Sequence, residues 1–136
     1  MAAGEQAPLQ VVREVRVPAV ATGTSTEFAL AIGPFAGSVL SVSFTPDALV
    51  TGVNTDTRKW TVKNKGAAGA GTTAAASLQA NSGVNAPAFD EKAITLDSTA
   101  ANRAFAQDDV LSWHSEAVGT GLADPGGLVK IVLARA

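Results

Sequence analysis

Apolar and polar residues alternate along short stretches of the chain, and turn residues separate those stretches. Leu9, Val11, Val15 and Val17 fall on one face of a first stretch, with Gln10, Glu14 and Arg16 on the other. Arg13 interrupts the apolar face, and Pro18 marks an edge or an end. The same period of two runs through Phe28, Leu30 and Ile32, ended by Gly33-Pro34, and through Leu40, Val42 and Phe44 against Ser41, Ser43 and Thr45, ended by Pro46-Asp47. It returns at Trp60 and Val62, at Ala74, Ala76 and Leu78, at Ile94 and Leu96, and at Leu111 and Trp113. Residues 128–133 are apolar apart from Lys130, as expected of a strand covered on both faces. Strict alternation over four to eight residues is the signature of half-buried strands.

Helical periodicity is missing. The alanine-rich residues 67–80 have helix-forming side chains, but Gly69, Gly71 and Thr72-Thr73 interrupt them. No helical crossover separates the strands, which favours a β-sandwich or jelly roll over a parallel sheet. The chain is therefore expected to be all-β: an antiparallel β-sandwich or jelly-roll-like domain of about eight strands over residues 9–136. Residues 1–8 have no pattern and are expected to form a flexible N-terminal arm.

Composition narrows the functional classes. A chain of 136 residues is the size of one domain and can bury a core unaided. It has no cysteine, so neither a disulfide framework nor a zinc-thiolate site is available, in keeping with assembly in a reducing cytoplasm. The net charge is −2 without a basic run, which argues against nucleic acid as a partner. Charged residues make up 16% of the chain, below the roughly 25% usual in soluble proteins, and such a surface tolerates contact with other proteins. No apolar run approaches the roughly 18 residues of a membrane span, and the first residues lack the basic-then-apolar order of a secretory signal.

Candidate chemistry is sparse. The single histidine, His114, has no nucleophile-elbow sequence to support a Ser-His-Asp arrangement and reads as an ordinary strand residue. Asp108-Asp109 reads as a turn leading into a strand, because neighbouring side chains on a strand point to opposite faces. Gly66, Gly69 and Gly71 precede Thr72-Thr73 and not the Lys-Ser or Lys-Thr pair of a phosphate loop. No calcium-loop spacing occurs. No catalytic residue, cofactor or metal ligand is therefore expected. Trp60 and Trp113 are expected in the core; exposed, they would suggest a carbohydrate-binding platform. Phe35, Phe89 and Phe105 lie near turns, where aromatic residues can anchor an interface. Together with Leu9 and Val11 beside the arm and Asp124-Pro125 in the glycine-rich loop, they form the predicted interface set.

Two segments resemble small structural proteins of tailed bacteriophages, in particular capsid decoration (cement) proteins of phages infecting actinobacteria. One is Gly37-Ser38-Val39-Leu40-Ser41-Val42-Ser43-Phe44-Thr45-Pro46-Asp47-Ala48, followed by Gly52 and by Val62-Lys63-Asn64-Lys65-Gly66. The other is Asp108-Asp109-Val110-Leu111-Ser112-Trp113 with the stretch from Val118 through Asp124-Pro125-Gly126-Gly127 to Val129. With Ala88-Phe89-Asp90-Glu91 the resemblance spans about residues 28–133 and consists of strand and turn residues. It implies a β-rich protein made in the host cytoplasm and located on the virion. There it would bind the major capsid protein on the outer shell, as a homotrimer at threefold or quasi-threefold positions. A head-fibre base, a tail component and a carbohydrate-binding module are the alternatives. Residues 1–12 are expected to lie against the capsid or a neighbouring subunit.

Overall fold

The computed structural model describes residues 9–136, so the predicted arm at residues 1–8 lies outside the described residues. Nine strands and one helical turn follow in chain order: β1 (Gln10–Val17), β2 (Thr26–Ile32), β3 (Gly37–Pro46), β4 (Thr57–Asn64), β5 (Thr73–Gln79), β6 (Lys92–Leu96), α1 (Ala100–Arg103), β7 (Ala104–Phe105), β8 (Val110–Val118) and β9 (Gly127–Arg135). The chain is all-β, as the alternation predicts, and residues 10–12 belong to β1. The polar run at residues 51–59 reads as a loop in the sequence, but β4 begins at Thr57. The two-residue β7 and α1 carry no readable pattern and were not expected.

Every pairing is antiparallel, in the order β1-β9-β3-β6-β5-β4-β8-β2, with β7 added to β3. The path is a sheet nearly closed into a barrel. It folds into two layers at β6. Lys92, Ala93 and Ile94 pair with Phe44, Ser43 and Val42 of β3, whereas Thr95 and Leu96 pair with Ser77 and Ala76 of β5. One five-residue strand thus passes from one layer to the other, the corner device of packed sheets.

Between the layers, alternate residues meet. Val39, Val42 and Phe44 from β3 and Val129, Ile131 and Leu133 from β9 face Trp60 and Val62 from β4 and Leu111 and Trp113 from β8. Phe44 sits between both tryptophans, its ring centroid 5.2 Å from Trp60 and 5.4 Å from Trp113. Both tryptophans are core residues, as expected.

Three register shifts interrupt the ladders; the one between β4 and β5, at Val62/Lys63, leaves Ala75 and Ala76 both buried, and the other two redirect larger side chains. The β3–β9 register shifts between Val39 and Ser41, leaving Leu40 as an extra residue and 42% exposed while Val39 is buried. The β2–β8 register shifts between Ala29 and Ala31, so Leu30 turns inward and Ile32 outward. The expected single face Phe28-Leu30-Ile32 is therefore split.

Strands β1 and β2 end the path and keep one unpaired edge each. Arg13 stands opposite the buried Ile131, on the side of β1 that faces the core, and is itself exposed. An inward charge on an edge strand and a bulge on the other are both devices that discourage strand addition.

Candidate functional site

Residues 18–25, 46–56, 80–91 and 119–126 form the loops at one end of the sheet, and the first and last of them are tied down by polar groups that strands β4 and β8 project into the interior. Alternation from Val62 and Trp60 places Arg58 on the inward side of β4, where it has no exposed surface. Its guanidinium donates to the backbone oxygens of Ala21 (3.1 Å), Thr24 (2.8 Å) and Leu122 (2.8 Å from Nε). Burial pulls the Arg58 pKa down, and the carboxylate of Asp124 works against that shift.

Asp124 is buried and accepts three hydrogen bonds: from Trp60 Nε1 (2.9 Å), Ser115 Oγ (2.6 Å) and the Gly126 backbone N–H (2.8 Å). Its own N–H and C=O pair with Val20 at 2.8 and 2.9 Å. Two loops without regular structure are thereby fixed to the sheet, and the buried guanidinium and carboxylate each find their own hydrogen-bond partners.

The other two loops hold each other. Val50 and Ala86 exchange both backbone hydrogen bonds, Val53 N–H donates to Ala80 O, and Gly52 N–H donates to Asn85 Oδ1 at 2.9 Å. A Cβ on Gly52 would collide with the backbone oxygens of Asn81 and Val84, so this close approach requires glycine. The Phe89 N–H donates to Pro46 O at 2.8 Å. Beyond it, Glu91 accepts from Ser43 Oγ (2.6 Å) and pairs with Lys130 (2.8 Å) at the rim of a shallow cleft of about 200 Å3 lined by Ser41, Val42 and Ala93. Hydrogen bonds from Lys130 and Ser43 hold the Glu91 carboxyl below the usual range.

Upon this frame two large apolar side chains point into solvent. Leu49 is 60% exposed and Phe89 78% exposed. Phe89 has φ +57°, in the left-handed region that a bulky residue rarely occupies. It is the one fully exposed aromatic among the described residues; both tryptophans are buried and offer no sugar-stacking face.

The predicted interface set does not form one surface. Phe89 is 78% exposed and Leu9 48% exposed. Val11 is half-buried against the core, and Pro125 is half-buried. Phe35 and Phe105 are corrections: they stack at 6.3 Å inside the core, because β7 pairs with the start of β3 and closes over them. Asp124 is a correction too, since its carboxylate is the interior acceptor just described. Leu9, Phe35 and Phe105 also lie at the end of the sheet away from Phe89: Leu9 bonds Arg135 and Phe105 pairs with Gly37, whereas Phe89 bonds Pro46 at the far end of β3. Leu49 and Arg58 were missed. Continuing the alternation one step back from Trp60 finds Arg58; Leu49 has no local signal, since an isolated leucine after Pro-Asp-Ala reads as core.

The titratable groups singled out by sequence are dispersed. His114 Nδ1 lies 3.6 Å from Glu116 Oε2 on the outer face of β8, and Ser112 Oγ donates to Glu27 instead of to the histidine. Asp109 accepts from the Ala106 N–H (2.8 Å) and Asn64 Nδ2 (3.0 Å), which makes it the turn residue before β8. Among the described residues no group of three or more His, Asp or Glu side chains converges as metal ligands. No helix of the described residues is long and apolar enough to cross a membrane.

No family model, no curated protein and no solved structure matches this chain.

Proposed function

We propose that this protein is a non-enzymatic decoration protein of a tailed-phage capsid, seated on the shell by the Leu49–Phe89 loop end. The observation that supports this reading most is the state of Phe89. Left-handed backbone costs a non-glycine residue about 1–2 kcal/mol, and the ring gains no burial in exchange. A strained, exposed aromatic on a hydrogen-bonded frame has the character of an interface anchor. The frame itself is stiff, so little ordering entropy is lost on docking.

The blunted edges at Arg13 and at the β2 bulge favour association through loops over strand addition. A homotrimer on the shell presents three such ends at once, and modest single contacts then combine through effective concentration into stable bridging of capsomers. The major capsid protein is the partner on this reading, and the segment resemblance at residues 37–48 and 108–129 points the same way.

The test is sedimentation of purified protein with expanded capsids that lack it. Wild-type protein is expected in the capsid pellet and Phe89→Ser in the supernatant, with the oligomer read separately by analytical ultracentrifugation. Wild-type protein that stays in the supernatant refutes the capsid reading.

A further inference from the structure

The loop end is not only apolar; it is one-signed. Residues 46–56 and 80–91 contain Asp47, Asp56, Asp90 and Glu91 and no lysine or arginine. Residues 18–25 carry no charge, and in residues 119–126 the only charged group is the buried Asp124. Two of the four exposed carboxylates are neutralised from the sheet side, Asp47 by Arg16 at 2.7 Å and Glu91 by Lys130 at 2.8 Å. Among the described residues Asp56 and Asp90 enter no ion pair. Asp56 is held by its Oδ1, which accepts from the Thr120 N–H at 2.8 Å, and by a left-handed backbone of φ 54°. Asp90 directly follows Phe89.

From this we infer that the surface the loop end recognises is a protein face with an apolar depression bordered by arginine or lysine. The inference rests on reading the Leu49–Phe89 end as the docking site and names the chemistry of what it meets. An exposed aromatic beside a free carboxylate suits a guanidinium in particular: the plane stacks on the ring while its N–H groups reach the carboxylate. The fold already contains the stacking half of that arrangement, with the Arg135 guanidinium 5.5 Å from the Phe35 ring centroid. The same charges disfavour the other partners an exposed apolar tip could have. Anionic lipid headgroups and nucleic-acid phosphates are both repelled by Asp56 and Asp90. The carboxylates act over a Debye length of about 8 Å at physiological salt, so they guide approach and register, while the two apolar side chains supply the affinity.

Two measurements test this. In the first, isotope-labelled protein is titrated by NMR with an amphipathic helical peptide of leucine and arginine, and with its leucine and glutamate counterpart. Shifts are expected at residues 46–56 and 86–91 with the arginine peptide and not with the glutamate one. They are expected to be lost in Phe89→Ser and weakened about tenfold in Asp90→Lys, with thermal unfolding unchanged in the latter. Equal response to both peptides, or shifts centred on the β8 face, overturns the inference whatever the capsid does. In the second, binding to capsids lacking the protein is measured at low and high salt. Affinity is expected to fall several-fold with salt in the wild type and to lose that dependence in Asp56→Asn/Asp90→Asn. Capsid binding that ignores both salt and these substitutions overturns the charge complementarity while leaving the capsid reading standing. Peptide recognition without capsid binding does the reverse.

Discussion

Trp60 Nε1 donates a 2.9 Å hydrogen bond to Asp124 Oδ2, and neither side chain reaches solvent. A core aromatic of β4 thereby fixes the loop that precedes β9. Asp124→Ala removes the acceptor for three donors. Leaving a buried donor unsatisfied in this way costs about 1–3 kcal/mol. The expected outcome is an unfolding free energy, read from urea denaturation, lowered by at least that amount, with altered tryptophan emission; a loss under about 1 kcal/mol would show that the loop is held by its Val20 bridge alone.

Phe44→Ala opens a cavity between the two tryptophans. Truncating a buried phenylalanine costs about 3–5 kcal/mol. Chemical denaturation is expected to show that loss together with a near-ultraviolet dichroism change, since both indole environments are altered at once.

Phe89→Asn is expected to act in opposite directions on stability and docking. Asparagine tolerates the left-handed region better, and little burial is forfeited at a side chain 78% exposed. Stability should rise by about 0.5–1 kcal/mol, measured by thermal unfolding, while capsid and arginine-peptide binding fall. Destabilisation instead would mean that the ring packs on the fold.

Acid is expected to weaken the fold through Glu27. The hydrogen bond from Ser112 Oγ lowers its pKa, assisted by Lys65 and Lys63 and opposed by burial. A depressed carboxylate contributes stability that is full above its ordinary value of about 4.5 and that disappears as pH falls through the lower folded value. The melting temperature should therefore drop below about pH 4.5, and Glu27→Gln should flatten that decline. An unchanged slope in Glu27→Gln would assign the acid sensitivity elsewhere.

The period-two pattern identified most strands because it reports which side of a half-buried ribbon meets the core. It failed where the count slips. Leu40 alternates with Val42 and Phe44 in sequence, yet the bulge beside it exposes it; Ile32 is displaced in the same way by the bulge at Leu30. Bulges depend on the partner strand and leave no mark on the strand that carries them. Arg13, an interruption when read alone, becomes intelligible once its strand is known to be an edge. The interface was legible in part. Phe89 stood out as an aromatic in a turn, but so did Phe35 and Phe105, and only the pairing of β7 with β3 separates the buried pair from the exposed ring. Asp124 illustrates the opposite error: a carboxylate before Pro-Gly-Gly resembles a surface turn until Trp60, 64 positions away in sequence, is seen to donate to it.

The place of β9 between β1 and β3 bears on how the chain matures during synthesis. These two strands share a layer but have no direct pairing; residues 127–135 lie between them and pair with both. While a ribosome is still producing those residues, β1 and β3 have open edges and Val39, Val42 and Phe44 lack their neighbours Leu133, Ile131 and Val129. The layer can close only after the strand that divides it has left the exit tunnel, so consolidation is deferred until translation of this segment is complete.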